Sequence, residues 1–200
     1  MKIFLFYLLF LWTFQSISQS SYSIAVISAR KVKEAELLDA EKGTLTAEDL
    51  SYFKGLNYFF IDTNYVVQAQ FRKSVGKKFE MPTSTERTPI YRKYGCLSFN
   101  INGKPFQLTV YQNMELKGNK GYKNYFFVPF RDLTCGDMSY GGGRYLDLIL
   151  EKTQTEITLD FNLAYNPYCA YSHRYSCPIP PEENTLNIFL YSGEKKPILK

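Results

Sequence analysis

Four carboxylate side chains in the second half of this 200-residue chain have the chemistry of acid–base catalysts: Asp132, Asp147, Asp160 and Glu183. Glycoside hydrolases use two such groups, one as general acid and the other as base or nucleophile. The serine-hydrolase motif G-x-S-x-G is absent, and the single histidine, His173, lies in a loop flanked by prolines. A carboxylate-dependent hydrolase acting on envelope or sugar substrates is therefore one hypothesis, but no known motif assigns catalytic residues.

A glycine triplet, Gly141 to Gly143, stands directly before Arg144. Successive glycine amides can form a nest for an anion, and a guanidinium adds a fork that matches carboxylate or phosphate. The triplet is not a P-loop, because no Lys-Ser/Thr pair follows it. Two interpretations stay open: an anion site, or a tight turn with Arg144 paired to a nearby carboxylate such as Asp132 or Asp147.

Amide and aromatic side chains crowd together after Asp160, as in the segment from Asn162 to Tyr171. Amide donors beside aromatic faces are typical of grooves that bind sugars or other flat polar ligands. The leading hypothesis is thus a binding module for a small polar or anionic ligand. The candidate ligand-binding residues are Arg131, Asp132, Gly142, Gly143, Arg144, Asp147, Asp160, Asn162, Asn166 and Tyr171. The further alternative is a structural domain in which these residues form a buried Arg and Asp network without a small-molecule site.

Cys169, His173 and Cys177 recur at four-residue intervals, a spacing that would align them on a helix. Prolines on both sides argue against a helix, and three ligands fall short of a structural zinc site. We therefore expect no metal and no cofactor. In an oxidising compartment disulfides persist, and the short loop between Cys169 and Cys177 predicts a bond between them, although four cysteines allow three complete pairings.

The first twenty residues have the layout of a secretory signal: Lys2, an apolar run from Ile3 to Phe14, then Ser16, Ser18 and Ser20. The run is short for a bilayer span, which needs about 20 residues. We expect residues 1–20 to be removed and the protein to be exported, periplasmic or secreted, with no membrane span afterwards. The alternative is a retained N-terminal anchor.

The rest of the chain is predicted to comprise a charged N-terminal segment, residues 21–44, and a single β-rich domain, residues 45–200. The formal net charge is +5, with 24 basic and 19 acidic residues, and removing Lys2 leaves +4. This excess is mild, and no nucleic-acid-binding signature accompanies the basic residues. We expect no nucleic-acid partner.

Local patterns predict the elements that carry these residues. A charged stretch around Glu34 to Leu38 favours a helix, and Thr46 with Asp49 forms a weak capping box for a second short helix ending near Gly55. Asn102-Gly103 suits a type I′ hairpin turn. The turn sets Phe99 opposite Phe106, Leu97 opposite Leu108 and Ser98 opposite Gln107.

Alternation of apolar and polar residues predicts further strands. Ile157, Leu159 and Phe161 alternate with polar residues in a strand expected to reach Asn162, which places Asp160 and Asn162 about 7 Å apart on one face. Seven or eight such strands are predicted, two of them around Leu146–Leu150 and Leu186–Leu190. The expected fold is all-β, mainly an antiparallel barrel or sandwich, with one or two short N-terminal helices.

Several distinctive motifs occur together: Phe127-Val-Pro-Phe-Arg-Asp132, Tyr140-Gly-Gly-Gly-Arg-Tyr-Leu-Asp147, Leu159-Asp-Phe-Asn162, Asn166-Pro-Tyr-Cys-Ala-Tyr171 and Cys177-Pro-Ile-Pro-Pro181 with Asn184, and also Phe53-Lys-Gly-Leu56 and Gly193-Glu-Lys195. Together they resemble one known family, the bacterial domain of unknown function 1684. The resemblance runs from about residue 45 to 195. It implies no activity, because the family has no established reaction.

Overall fold

The computed structural model describes residues 3–39 and 43–198, and for residues 3–19 it describes the backbone alone. This part of the chain is mostly β, as predicted. Its two α-helices are α1 (Ile3–Leu38) and α2 (Ala47–Tyr52). Its strands are β1 (Val66–Lys73), β2 (Lys78–Glu80), β3 (Ile90–Ile101), β4 (Lys104–Asn113), β5 (Tyr125–Asp132), β6 (Arg144–Ile149), β7 (Glu156–Asp160) and β8 (Thr185–Leu186).

The eight strands form one curled sheet, a half-barrel with the order β6-β5-β4-β3-β1-β7. β2 pairs with β3, and β8 pairs with β5 in the only parallel pairing among the named strands. The concave side holds the main apolar core, built from alternate residues such as Leu97, Leu108, Val128 and Leu159. Because β6 and β7 are the two ends of the strand order, the half-barrel is open between them.

The β3–β4 hairpin turns at Asn102-Gly103, as the sequence predicts. Both residues have positive φ, +51° and +75°, which a type I′ turn requires. The predicted register is confirmed: Phe99 pairs with Phe106, Leu97 with Leu108 and Ser98 with Gln107. The turn thus fixes which residues of both strands enter the core.

The strand predicted through Asn162 ends earlier, at Asp160. The Asp160 carboxylate accepts the backbone N–H of Asn162 at 2.9 Å and so caps a 3₁₀ turn, Phe161–Leu163. The amide Nδ2 of Asn162 also donates to Asp160 Oδ1 at 3.0 Å. The expected separation of about 7 Å is therefore wrong, because the cap bends the chain and brings the two side chains together.

Both N-terminal helices are present. The helix expected around Glu34–Leu38 is the end of the much longer α1, whose Val26 and Leu37 are buried. The predicted capping box of α2 forms, with Asp49 N–H donating to Thr46 Oγ1 and Thr46 N–H donating to Asp49. Residues 1 and 2 of the predicted signal lie outside the described residues. Within the described part of the chain, no helix is long and apolar enough to cross a membrane.

A second apolar cluster lies on the convex side of β5 and β6. It contains Tyr111, Phe127 and Tyr145, with the rings of Phe127 and Tyr145 in an edge-to-face contact at 4.6 Å between centroids. Because β5 packs on both faces, its side chains are buried almost without alternation. We call this cluster the aromatic floor, because its rings form a layer on that side of the sheet.

Candidate functional site

Arg144 and Asp132 form a fully buried ion pair. Arg144 Nη2 donates to Asp132 Oδ2 at 2.7 Å, and the exposed fractions of the two residues are 0% and 5%. The guanidinium also donates to the backbone carbonyls of Leu190 and Glu194, both at 3.2 Å, and of Ser192. Asp132, rather than Asp147, is thus the partner of Arg144. The charge of Arg144 is therefore neutralised inside the protein and does not face a ligand.

The glycine turn before β6 is filled by protein. Gly143 has a φ of +89°, and a Cβ there would lie 2.7 Å from the Phe130 carbonyl oxygen and from Pro180. A Cβ on Gly142 would lie 2.4 Å from the Tyr140 ring. Both glycines therefore permit close packing. Arg131 is another of the candidate ligand-binding residues. It is half-buried beside β8, and its Nε has no hydrogen-bond partner.

Asn166 belongs to a second buried group, centred on Glu194, which is 0% exposed, and the half-buried Tyr171 borders this group. The Glu194 carboxylate accepts Asn166 N–H at 2.9 Å and Asn166 Nδ2 at 3.0 Å, and Nδ2 also donates to Tyr171 Oη at 3.0 Å. Burial raises the pKa of Glu194 to about 8, against the opposing hydrogen bonds from Asn166. Since Arg144 bonds the Glu194 carbonyl, the two groups form one internal polar network.

Asp147, by contrast, projects into a cleft beneath α1. Two cavities meet here, which we call together the Asp147 cleft. The edge cavity, about 300 Å³, lies between α1, β6 and β7 and includes Arg30, Tyr58 and Asp160 in its lining. The tyrosine cavity, about 360 Å³, lies against the aromatic floor and includes Tyr91, Tyr122, Tyr125, Tyr145 and Tyr168. Lys33, Asp147 and Tyr165 line both cavities.

Two phenol groups hold the Asp147 carboxylate. Tyr125 donates to Oδ1 at 2.6 Å, and Tyr165 lies 2.8 Å from each carboxylate oxygen. The side chain remains exposed to water at the cleft mouth. Desolvation by the crowded walls raises the pKa of Asp147, although the two phenols and Lys33 favour the charged form. Asp147 is therefore a carboxyl group that is both reachable and electrostatically perturbed.

Lys33 extends from α1 over the tyrosines of the cleft. Its Nζ lies 3.7 Å from the centre of the Tyr165 ring and 5.5 Å from that of Tyr168. These distances are within the range in which an ammonium is attracted to an aromatic face. The cleft thus contains a positive charge from the helix and a negative charge from the sheet.

Asp160 faces the edge cavity but is already engaged. Its Oδ2 accepts the hydroxyl of Tyr22 at 2.9 Å, and Asn162 Nδ2 donates to Tyr22 Oη at 3.0 Å. Asn162 itself is completely buried. Of the four predicted carboxylates, Asp147 and Asp160 line a common cavity, whereas Glu183 accepts hydrogen bonds from Lys93 and Tyr111 elsewhere.

The predicted Cys169–Cys177 disulfide is not formed, and all four cysteines are free. Cys177 Sγ instead accepts the backbone N–H of Cys169 at 3.2 Å. A hydrogen bond with Cys177 lowers the pKa of the Cys169 thiol to about 6. The short spacing in the sequence correctly indicated that the two cysteines lie close together, but it could not determine the positions of their sulfur atoms.

Among the residues that the structure describes, no three His, Cys, Asp or Glu side chains converge on a metal-binding geometry.

The candidate residues are therefore divided between a buried network and an open cleft. Sequence reasoning missed Lys33 and Arg30 because they lie on a helix more than 100 residues before the strands that they face. It missed the role of Glu194 as well, although the Gly193-Glu-Lys195 motif offered a signal. The tyrosines of the cleft belong to three strands and three separate connecting segments, so no local motif gathers them.

Comparison with known proteins places this architecture in a family. No curated protein matches the chain. The solution NMR structure of an uncharacterized protein of Haloarcula marismortui is similar, with 34% identity, a TM-score of 0.68, and coverage of 89% of this chain and 96% of that chain. Coverage of 89% of 200 residues is about 178, so the likeness must begin before Ser51. The family model for a protein of unknown function, DUF1684, matches residues 51–195, and the chain belongs to this family.

Proposed function

We propose that this domain binds a small polar ligand in the Asp147 cleft. The observation that carries the proposal is the position of Asp147, whose water-exposed carboxyl group stands where two cavities meet. Binding sites are typically concave, with aromatic walls and a few converging polar groups. Hydroxyl groups of a sugar-like ligand can bond the carboxylate while a ring face rests on tyrosine.

The buried network supports this cleft from behind. Arg144 begins β6, the strand that also carries Asp147, and the Glu194–Asn166 contacts fix the residue that follows Tyr165. Side chains held by internal hydrogen bonds position their neighbours with little loss of entropy on binding. We assign Arg144, Asp132 and Asn166 to this supporting role, and Asp147 to ligand contact.

The test is a ligand screen by thermal shift and calorimetry on the full chain, with neutral sugars, amino sugars, carboxylates and phosphates. We expect a ligand to raise the unfolding midpoint of the parent but not of Asp147→Asn. Glu183→Gln is the matched control, because this carboxylate lies outside the cleft, and it should respond as the parent does. Equal ligand responses in Asp147→Asn and the parent, or none in any protein, would contradict the proposal.

Hydrolysis is the second candidate, favoured by Asp147 and Asp160 lining one cavity. A carboxyl group with a raised pKa is suited to general-acid catalysis, and Asp147 has that property. Asp160 could then act as the base only if Tyr22 releases it. Aryl glycosides provide the assay: turnover by the parent, lost in both Asp147→Asn and Asp160→Asn, is expected of a hydrolase, and turnover that persists in either variant would exclude this pair.

We propose further that residues 1–20 direct export and are removed. The signal-like pattern supports this proposal, and Tyr22, Val26 and Leu37, which hold α1 against the rest of the protein, lie after the expected cleavage point. Mass spectrometry of protein recovered from the periplasm or medium should give Ser21 as the first residue. Recovery of only cell-associated chains that retain the first twenty residues would refute it.

A further inference from the structure

The cleft already contains an ammonium group, that of Lys33. Its Nζ sits 3.7 Å above Tyr165 and within 5.5 Å of Tyr168, in the same cavities as Asp147. Lys33 is half-buried on a flexible four-carbon side chain, so its charged end can leave without unfolding α1. The residue therefore shows what kind of group this surface attracts.

The walls of the tyrosine cavity are electronegative. Ring faces carry the negative part of the aromatic quadrupole, and Asp147 and Glu36 add carboxylates. The hydroxyls of Tyr125 and Tyr165 are donated to Asp147, which removes two potential donors to an anionic ligand. Aromatic faces around a carboxylate are suited to quaternary or protonated amines.

We infer that the ligand of the Asp147 cleft is an organic ammonium ion, and that Lys33 is a built-in competitor for the same aromatic surface. This inference rests on the proposed function and names its ligand class. Two cations cannot occupy the Tyr165 face together, so binding requires the Lys33 ammonium to move away. The affinity of the parent is then lower than that of a protein whose position 33 is neutral.

The experiment measures choline binding to the full chain by calorimetry and by NMR titration. Choline is compared with 3,3-dimethyl-1-butanol, which has the same shape without the charge. We expect Lys33→Met to bind choline at least tenfold more tightly than the parent. Lys31→Met is the matched control, because Lys31 is an exposed lysine on the same helix, and its affinity should equal that of the parent.

Two further comparisons make the result specific. Adding Asp147→Asn or Tyr168→Leu to Lys33→Met should weaken choline binding at least tenfold, since each removes one part of the cage. The neutral alcohol should bind Lys33→Met at least tenfold more weakly than choline. If Lys33→Met loses the folded NMR spectrum, Lys33→Gln is the replacement, because it is also uncharged and keeps a polar end.

The choline and sugar titrations together distinguish a wrong ligand class from a wrong binding site. If Lys33→Met does not bind choline while a neutral sugar binds the parent in an Asp147-dependent manner, the ammonium class is wrong and the cleft is still the site. Equal affinity for choline and the alcohol likewise overturns the ammonium class. If no ligand of either kind binds, both proposals fall.

Discussion

Arg144 has the largest completely buried side chain in the described part of this molecule. A charge without water must be neutralised and hydrogen-bonded. Asp132 neutralises the guanidinium, and Asp132 with three backbone carbonyls bonds its two terminal nitrogens, while Nε has no hydrogen-bond partner. Such a pair need not stabilise more than apolar residues of equal volume. Removing one member is different, because the other remains buried with its charge uncompensated.

Arg144→Met should therefore lower the free energy of unfolding by about 3–5 kcal/mol. Lys93→Met provides the comparison, because Lys93 pairs with Glu183 at 2.6 Å at the surface, where the two side chains are 52% and 40% exposed. Exposed pairs contribute about 0–1 kcal/mol. Urea denaturation measures both changes, and similar losses in the two variants would show that the Arg144 pair is not buried as described.

Glu194 leads to a prediction about pH. Its pKa is about 8 in the folded protein, because of burial, and about 4.3 in an unfolded chain. Between these values the folded state binds more protons, so its stability falls as the pH rises. The contribution of Glu194 is fully favourable below about pH 4, decreases from there to about pH 8, and does not decrease further above that.

The measurement is the free energy of unfolding from urea titrations at pH 5, 6, 7 and 8. We expect Glu194→Gln to have a smaller decline than the parent over this range, because the ionising group is gone. The slope is compared rather than the absolute stability, since glutamine also alters the hydrogen bonds to Asn166. Parallel pH profiles of the two proteins would argue that Glu194 titrates normally.

At the scale of elements, the turn into β6 shows how a glycine sets the position of a strand. Gly143 combines a positive φ with backbone and Pro180 atoms that leave no room for a side chain. Gly103, in the β3–β4 turn, has a positive φ of +75°, but a Cβ added there would have nothing within 4 Å. A comparison of substitutions at the two glycines therefore separates the effect of backbone strain from the effect of steric exclusion.

Gly143→Ala should destabilise the protein more than Gly103→Ala. Both changes incur the left-handed backbone penalty of about 1–2 kcal/mol, and only the first also forces Phe130 or Pro180 to move. Thermal unfolding of the two variants gives the comparison. An equal shift of the midpoint in both would mean that the β6 turn can relax around an added methyl group.

At the scale of the whole molecule, α1 covers the open side of the half-barrel. Its residues Tyr22, Arg30 and Lys33 contact Asp160, Asn162 and Tyr165, which lie at the end of β7 and in the segment that follows it. The similarity to the Haloarcula marismortui protein also extends before Ser51. The second half of α1 therefore packs against the sheet, although it precedes the residues of the family match.

Two truncations test this role of α1. Deletion of residues 1–20 should leave the unfolding midpoint within a few degrees of the parent, because the contacts of Tyr22, Val26 and Leu37 are kept. Deletion of residues 1–39 should lower the midpoint clearly, because buried apolar surface is lost and the cleft loses a wall. Equal midpoints for the two truncated proteins would show that α1 is dispensable for folding.

Sequence alone was enough to predict the all-β class, the hairpin register around Asn102-Gly103, the capping of α2 and the family. Each of these depends on residues close together in the chain, or on motifs that can be read directly. A type I′ turn restricts φ at two adjacent residues, and alternation then assigns the faces of both strands. The export signal also rests on sequence alone and stays a prediction.

Which polar groups meet became clear only from the three-dimensional arrangement. It paired Arg144 with Asp132 rather than Asp147, buried Asn166 against Glu194, and placed Lys33 over Tyr165. In the sequence, Asp147 and Asp160 were equivalent to the other carboxylates; the curled sheet brought these two to one cavity. These contacts join residues 12 to 132 positions apart, so sheet curvature and helix placement, rather than local periodicity, set their distances.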